Sequence, residues 1–289
     1  MSLNRFVPPA GAISAAALKE FKAVLADVDS LLVMTGAGIS TESGIPDYRS
    51  KGVGLYARPN GHRPMTIQEF LASGQNRQRY WARNFVAWPK FGSAPCNETH
   101  YKLAEWEGDP RFQWLITQNV DGLHTLAGSQ RITELHGCSR AVKCLQCHEI
   151  YDRADLQTQL NKLNPNWALT EIGELRPDGD VDIPAHAVDA FKVPECVHCG
   201  PSAILKPDVV FFGDNVPRKV VDNCYKMVDD ASGLLVLGSS LTVMSGYRFV
   251  YQAHLRGIPV LIVNIGPTRG DHFATVKLDA RVSDVMNAL

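Results

Sequence analysis

Two Cys-x-x-Cys pairs, Cys144/Cys147 and Cys196/Cys199, most restrict what this chain can fold into. Each such turn aims two thiolates at one point, and two turns complete the tetrahedral shell that Zn²⁺ takes in a ribbon module. Redox cysteines are the rival reading; two pairs placed after separate strands favour the metal. The 48 residues between the pairs exceed the usual gap of about 15–20, so the module must carry an inserted loop. A Cys₄ shell leaves no open coordination position, which makes the metal structural. The chain has seven cysteines, an odd number. Cys96, Cys138 and Cys224 fall at no regular spacing, which suits a reducing compartment better than a disulfide framework.

The rest of the chain alternates short apolar runs with amphipathic segments. Leu31–Thr35, Phe112–Ile116, Val209–Phe212, Leu234–Leu237 and Val260–Val263 read as buried strands. Ala15–Asp27, with Ser14 as its cap, Gln75–Phe91, Glu98–Glu107, Lys219–Asp230 and Tyr247–Leu255 read as helices. That alternation predicts an α/β fold with a parallel sheet covered on both faces. From Ser139 to Ser202 the composition changes, which predicts a separate small module containing the acidic, Pro-containing stretch Asn164–Pro194. Gly52–Arg63 is rich in Gly, Pro and Arg and is expected to be a mobile loop. The 289 residues, 45% hydrophobic and 20% charged, suffice for a large domain plus a small one. A formal net charge of −1 provides no basic field for nucleic acid or an anionic membrane. No apolar run approaches the ~18 residues of a transmembrane helix. The N-terminus shows neither a signal-peptide core nor an Arg-rich transit stretch.

Gly36-Ala37-Gly38-Ile39-Ser40 follows a strand, as a phosphate-binding turn does. The full dinucleotide fingerprint is not met, because position 41 is Thr and no acidic residue ends a second strand about twenty residues on. A tight structural turn is the alternative. Asn119 and Asp121 sit at the carboxyl end of a strand, where open α/β sheets bind ligands; a helix cap is the plainer role for such a pair. His136 precedes a small residue that could leave its ring accessible. Its ordinary pKa of ~6.5 suits a general base, so activity should fall once it protonates.

Taken in order, these segments resemble the sirtuin family. The matches are Gly36–Ser40, Gly44-Ile45-Pro46-Asp47-Tyr48-Arg49, Thr117-Gln118-Asn119-Val120-Asp121, Leu135-His136-Gly137, the four cysteines, Lys206–Asp214, Gly238-Ser239-Ser240-Leu241 and Asn264-Ile265-Gly266. Thr41-Glu42-Ser43, Arg79–Phe85, Ser245–Phe249 and the long insertion resemble the class II, mitochondrial type. The resemblance implies a Rossmann-like domain (14–138 and 203–289) and an inserted zinc ribbon (139–202, with a long loop at about 164–194), with a cleft between them. It implies NAD as a consumed co-substrate and an acyl-lysine protein or peptide as the other substrate. The acyl oxygen attacks C1′ of the nicotinamide ribose, and the products are free lysine, nicotinamide and O-acyl-ADP-ribose.

By motif position His136 is the implied base, and Asn119 and Asp121 hold the nicotinamide carboxamide. Gly36, Ala37, Gly38, Ser40, Asp47, Tyr48, Arg49, Tyr56, Gln118, Val120, Gly238, Ser239, Ser240, Asn264, Ile265, Gly266 and Val282 complete the dinucleotide site. Val209, Phe211, Phe212 and Gly213 face the substrate. Tyr80 and Arg83 share one helix face and match a Tyr-x-x-Arg pair that binds an acyl carboxylate. Many deacetylases have Phe where this chain has Tyr48, and Glu where it has Asp214, which points away from efficient plain deacetylation; the Tyr80/Arg83 pair and the class II resemblance imply acidic, branched or lipoyl-type acyl groups instead. Mono-ADP-ribosyl transfer from the same cleft is the alternative. A non-catalytic NAD-sensing protein that docks through Asn164–Pro194 is a third reading, opposed by the intact His136, Asn119 and Asp121. The resemblance further implies a monomer in the mitochondrial matrix, or in the cytoplasm if the source is bacterial.

Overall fold

A computed structural model describes residues 3–57, 63–167 and 173–289. Most of the expected Gly52–Arg63 loop is described, but residues 58–62 are not; within the insertion, residues 168–172 likewise lie outside the described residues.

The strands are β1 (Leu31–Thr35), β2 (Phe112–Thr117), β3 (Ile132–Glu134), β4 (Gly137–Cys144), β5 (Ile150–Asp152), β6 (Leu205–Val209), β7 (Gly233–Leu237), β8 (Val260–Val263) and β9 (Val276–Leu278). The main helices are α1 (Ala15–Ala26), α2 (Ile67–Ala72), α3 (Gly74–Gly92), α4 (Glu98–Trp106), α5 (Leu123–Leu126), α6 (Arg153–Leu163), α7 (Ala185–Val188), α8 (Arg218–Asp230), α9 (Met244–Leu255) and α10 (Val282–Ala288). Six strands pair in the order β3-β2-β1-β7-β8-β9, and every pair is parallel. This is the doubly wound order, whose direction of winding reverses between β1 and β7. Every residue of β1, β7 and β8 is buried, which is why these strands read as unbroken apolar runs. One face packs against α1, α4 and α10 through Phe21, Leu103 and Val285; the other packs against α8 and α9 through Cys224, Val228 and Phe249.

A second, antiparallel sheet has the order β5-β4-β6. Here the expected strand Val209–Phe212 is corrected. The strand is Leu205–Val209, and it pairs with β4 of the small sheet, not with the large one. Phe211 and Phe212 leave the sheet and wall a cleft; apolar character alone does not distinguish a cleft wall from a buried strand. Helix α3, which precedes the cysteines by fifty residues or so, also packs on this sheet, with Trp81 and Ala82 against Val142, Leu156 and Phe191.

The two sheets meet at Leu135-His136, the only residues between β3 and β4. Gly137 follows with φ +77°, and a Cβ there would lie 2.0 Å from the Asp208 carbonyl oxygen. The small residue after His136 is therefore required by the approach of β6, not by access to the ring. A Gly137→Ala substitution combines left-handed backbone with a backbone clash and should cost at least about 2 kcal/mol. Urea unfolding of the variant measures it.

Candidate active site

The carboxyl ends of β1, β2 and β7, with Val209–Asp214, enclose a cleft of about 1390 Å³. All the residues assigned above to catalysis, dinucleotide or substrate line it except Tyr56 and Arg83.

The switch point is built by backbone contact. Gly38 N–H donates to the Gly238 carbonyl at 2.8 Å, and Gly36 N–H to Leu237 O at 3.1 Å. A Cβ on Gly36 would stand 2.7 Å from the Ser239 Cβ, and one on Gly38 would stand 2.8 Å from Gly238 O. These glycines therefore let two strand ends touch at the point where open α/β sheets hold a ligand. Gln118 Nε2 donates to Ser239 Oγ at 2.8 Å and joins β2 to the same junction. Asp47 accepts from the N–H groups of Arg49 and Ser50 at 2.9 and 2.7 Å, so its carboxylate shapes the loop that presents Tyr48 and Arg49. Tyr56 stands outside the cleft, 43% exposed. Its ring lies 5.7 Å from that of Tyr48 and 5.3 Å from the Arg49 guanidinium, so it braces the loop from behind.

Asn119 and Asp121 are buried and linked through Ser40. Asn119 Nδ2 donates to Ser40 Oγ at 3.1 Å, and Ser40 Oγ donates to Asp121 Oδ2 at 2.7 Å. The Leu123 N–H donates to Asp121 Oδ1 at 2.9 Å, so Asp121 also has the capping role considered from sequence. Burial raises its carboxyl, against the pull of these donors and of Arg140. A carboxylate and an amide held side by side in a dry wall are complementary to a primary carboxamide, which offers both N–H donors and an acceptor.

His136 is fixed at both nitrogens. Nδ1 lies 2.8 Å from the Gln118 carbonyl oxygen, which can only accept, so Nδ1 carries the proton in the neutral ring. Nε2 then keeps its lone pair and accepts from Ser245 Oγ at 2.8 Å. Burial lowers the His136 pKa, partly opposed by the Gln118 bond. The neutral, proton-accepting form thus persists to lower pH than for an exposed His. Ser245 falls in the matching segment Ser245–Phe249, but nothing in its spacing marks it as the partner of His136. Gly246 follows it, and a Cβ there would meet Gln118 Oε1 at 2.5 Å.

The end of the cleft beside Phe211 and Phe212 is aromatic. Tyr80, Phe70 and Phe211 pack with centroids 5.2–5.3 Å apart, and Phe212 meets Tyr48 at 5.9 Å. Arg83 departs from expectation. It does not line the cleft. Its Nε donates to Val181 O at 2.8 Å, and its guanidinium pairs with Asp180 at 2.6 Å. Both partners belong to the insertion, whose Pro177, Asp178 and Asp180 line the cleft instead. Burial and the Asp178 charge raise the Asp180 carboxyl, while Arg83, against it, pulls it down and favours the ionised form. The turn Arg176-Pro177-Asp178-Gly179, closed by Gly179 N–H to Arg176 O at 3.1 Å, has a Pro-Asp-Gly signature. That signature could have marked the turn, though not its destination.

The four cysteine sulfurs lie within 4.8 Å of one another, the one such cluster of possible ligands among the described residues. Cys147 and Cys196 Sγ are 3.7 Å apart, close to the ~3.8 Å edge of a tetrahedron with Zn–S bonds of about 2.3 Å. Tyr151 OH stands 3.1 Å from Cys196 Sγ and would donate to that thiolate, as outer partners of metal ligands do. The donor set therefore fits structural Zn²⁺. Metal analysis should find one zinc per chain, and strong chelation should unfold the small sheet before the large one, visible as early loss of protection at Val142 and Leu205 in hydrogen exchange.

The acid limb of the kcat/KM profile should lie below pH 6.5, because burial lowers the His136 pKa and activity is lost only as pH falls through that lowered value. A limb above pH 7 would remove His136 as the titrating group.

The Sir2 family model matches residues 36–245. The chain is 52% identical over 285 residues to the Bos taurus NAD-dependent protein lipoamidase sirtuin-4, mitochondrial, covering 99% of this chain and 89% of that protein. It is 51% identical over 288 residues to the Caenorhabditis elegans NAD-dependent protein deacylase sir-2.2, covering 99% of each. A solved Sir2 structure bound to a propionylated peptide superposes with TM-score 0.71 at 28% identity, covering 94% of this chain and 96% of that one. With the cleft, the His136 site and the four-cysteine cluster in place, these matches establish that the chain belongs to the Sir2 family.

Proposed function

We propose that this chain is an NAD-dependent protein lysine deacylase that prefers larger acyl groups to acetyl. The observation that carries the reading is the lone pair of His136 Nε2, held at the cleft wall by a one-way hydrogen bond from Nδ1 to Gln118 O. Relatives named as deacylase and lipoamidase support it.

NAD, when bound, supplies the ribosyl carbon that takes up the acyl oxygen as nicotinamide departs. The chain's own residues do the rest. Asn119 and Asp121 bind the carboxamide through the acceptor and donor atoms described above, and Ser40 keeps both in place. The Gly36–Gly38 turn and Gly238-Ser239 let the backbone approach the pyrophosphate. His136 Nε2 exchanges its bond from Ser245 for one from a ribose hydroxyl and takes that proton. Tyr80, Phe211 and Phe212 line the acyl channel with apolar surface, where each buried methylene contributes about 0.8 kcal/mol, so longer chains gain over acetyl. Peptide main chain is received along Val209–Gly213. We further propose that the small module spans residues 139–202, the large one residues 14–138 and 203–289, and that the protein acts as a monomer in the mitochondrial matrix; relatives named as mitochondrial support the last point. Mono-ADP-ribosyl transfer is not favoured, since no observation at the cleft requires a protein acceptor in place of the acyl group.

The test is mass spectrometry of the products from acyl-lysine peptides and NAD. The expected products are free lysine, nicotinamide and O-acyl-ADP-ribose. In His136→Tyr, turnover should fall by at least about a hundredfold, the usual share of a positioned base, while NAD binding stays within a few-fold. ADP-ribose found on protein with the acyl-lysine intact would overturn the reading.

A further inference from the structure

The Arg83–Asp180 contact has a chemical meaning beyond packing. Tyr80 and Arg83 occupy one face of α3, one turn apart, but only Tyr80 reaches the cleft. Between Arg83 and the cleft stands the insertion. Its Gly173–Asp182 segment forms a short hairpin, with Gly173 N–H donating to Asp182 O and Arg176 N–H to Asp180 O, both at 2.9 Å. Leu175 and Val181 anchor that hairpin on Ile45, Trp88 and Phe91, and Asn84 Nδ2 donates to Gly179 O at 3.4 Å. The hairpin tip therefore has a defined place, and that place puts the Asp180 carboxylate on Arg83 with both side chains less than a tenth exposed. Arg176 pairs with the same oxygen at 3.3 Å and with Asp182 at 2.5 Å. The two guanidiniums lie behind the wall while Asp178 and Asp180 face the cleft.

We infer that Asp180 is an acyl-specificity residue, an internal carboxylate that holds Arg83 in the position an acidic acyl chain would need, so that such a chain binds only by displacing it. The inference rests on the deacylase reading above and deepens it. An acyl group ending in a neutral amide, or in an apolar ring, uses the channel wall of Tyr80 and Phe211 and has no contest with Asp180. One ending in a carboxylate meets two carboxylates at the wall and must break a buried ion pair before it gains one. Arg83 thus responds to acidic acyl groups only to the extent that the insertion releases it.

The test uses the full chain and two peptides that differ by one terminal group, glutaryl-lysine and its terminal amide, with affinity measured by titration calorimetry. In the wild type the amide should bind more tightly. Asp180→Asn keeps the shape, removes the competing charge, and should raise the acid-over-amide affinity ratio about tenfold, the size expected for one charge-assisted bond. Adding Arg83→Met should abolish that gain. Should Asn at this position fail to fold, Asp180→Ser serves for the same comparison, with thermal melting as the check on folding.

An unchanged ratio in Asp180→Asn overturns the inference. So does a gain that survives without Arg83, which would make Asp180 a source of plain repulsion, not a competitor. Binding of neither peptide overturns it as well. Turnover of a lipoyl-lysine peptide with NAD is read in parallel: its absence from the wild type defeats the deacylase reading, while the affinity ratios still decide the role of Asp180.

Discussion

The cleft depends on the contact between Gly137 and the Asp208 carbonyl. Strand β3 belongs to the large sheet and β4 to the small one, and only Leu135 and His136 separate them. Leu135 N–H is bonded to Thr117 O at the end of β2, and the His136 carbonyl accepts from Val210 N–H, both at 2.8 Å. The residue that passes from one sheet to the other is therefore the histidine, and its backbone is tied to each side. Its ring has little freedom left once Nδ1 bonds to Gln118 O. A side chain positioned by two sheets moves only if the sheets move, which is the rigidity that the proposed role of proton acceptor needs to meet a hydroxyl at hydrogen-bond distance.

The opposite wall is held by polar groups that would be costly if left unpaired. Thr35, Thr117 and His124 form a buried network beneath the strand ends, with Thr35 Oγ1 2.9 Å from Thr117 Oγ1 and 3.0 Å from His124 Nε2. Thr117 Oγ1 also accepts from Asn119 N–H at 3.2 Å, which directs the Asn119–Asp121 turn toward Ser40. Burial holds His124 well below its ordinary pKa, so it is a neutral strut and not a second base. The two walls therefore have different chemistry: hydrogen-bond partners with fixed roles on one side, aromatic rings on the other.

Much of this was legible in the sequence, for identifiable reasons. The expected strands β1, β2, β7 and β8 appear within a residue of their predicted ends, since a strand covered on both faces is a plain apolar run. The cysteine pairs indicated a metal because ligand spacing is a local property of each turn. The errors arose where tertiary position decides. Strand β6 contains Lys206 and Pro207, both unfavourable to a strand reading. The Lys206 ammonium is nonetheless buried, donating to Pro207 O and Val209 O at 2.9 and 2.6 Å, a partnership invisible in a pattern. Arg83 shows the same limit: the spacing from Tyr80 placed it on the correct face of α3, but not beneath the insertion. That residues 173–182 pack inward was not legible either, because a Pro-Asp-Gly turn specifies a reversal without specifying what it packs against.

The cysteine cluster and the aromatic wall of the cleft, far apart in the sequence, are joined through α3. Trp81 is fully buried between the two, with Nε1 donating to Leu205 O of β6 at 3.1 Å, and its neighbour Tyr80 stands in the cleft wall. On the same face of the helix Arg153 from α6 is buried over the Trp81 and Trp88 rings, at 5.6 and 4.6 Å, and donates to Asn84 Oδ1 at 2.9 and 2.6 Å. Asn84 in turn reaches the Gly179 carbonyl of the hairpin. One helix therefore carries both the small sheet and the insertion, with Tyr80 at the cleft wall and Arg83 beneath the hairpin. A closed Cys₄ shell takes no part in bond making. By holding β4 and β6 in register beneath Trp81, however, it sets the depth at which Tyr80 stands, and so shapes the cleft wall that the hairpin bearing Asp180 also lines.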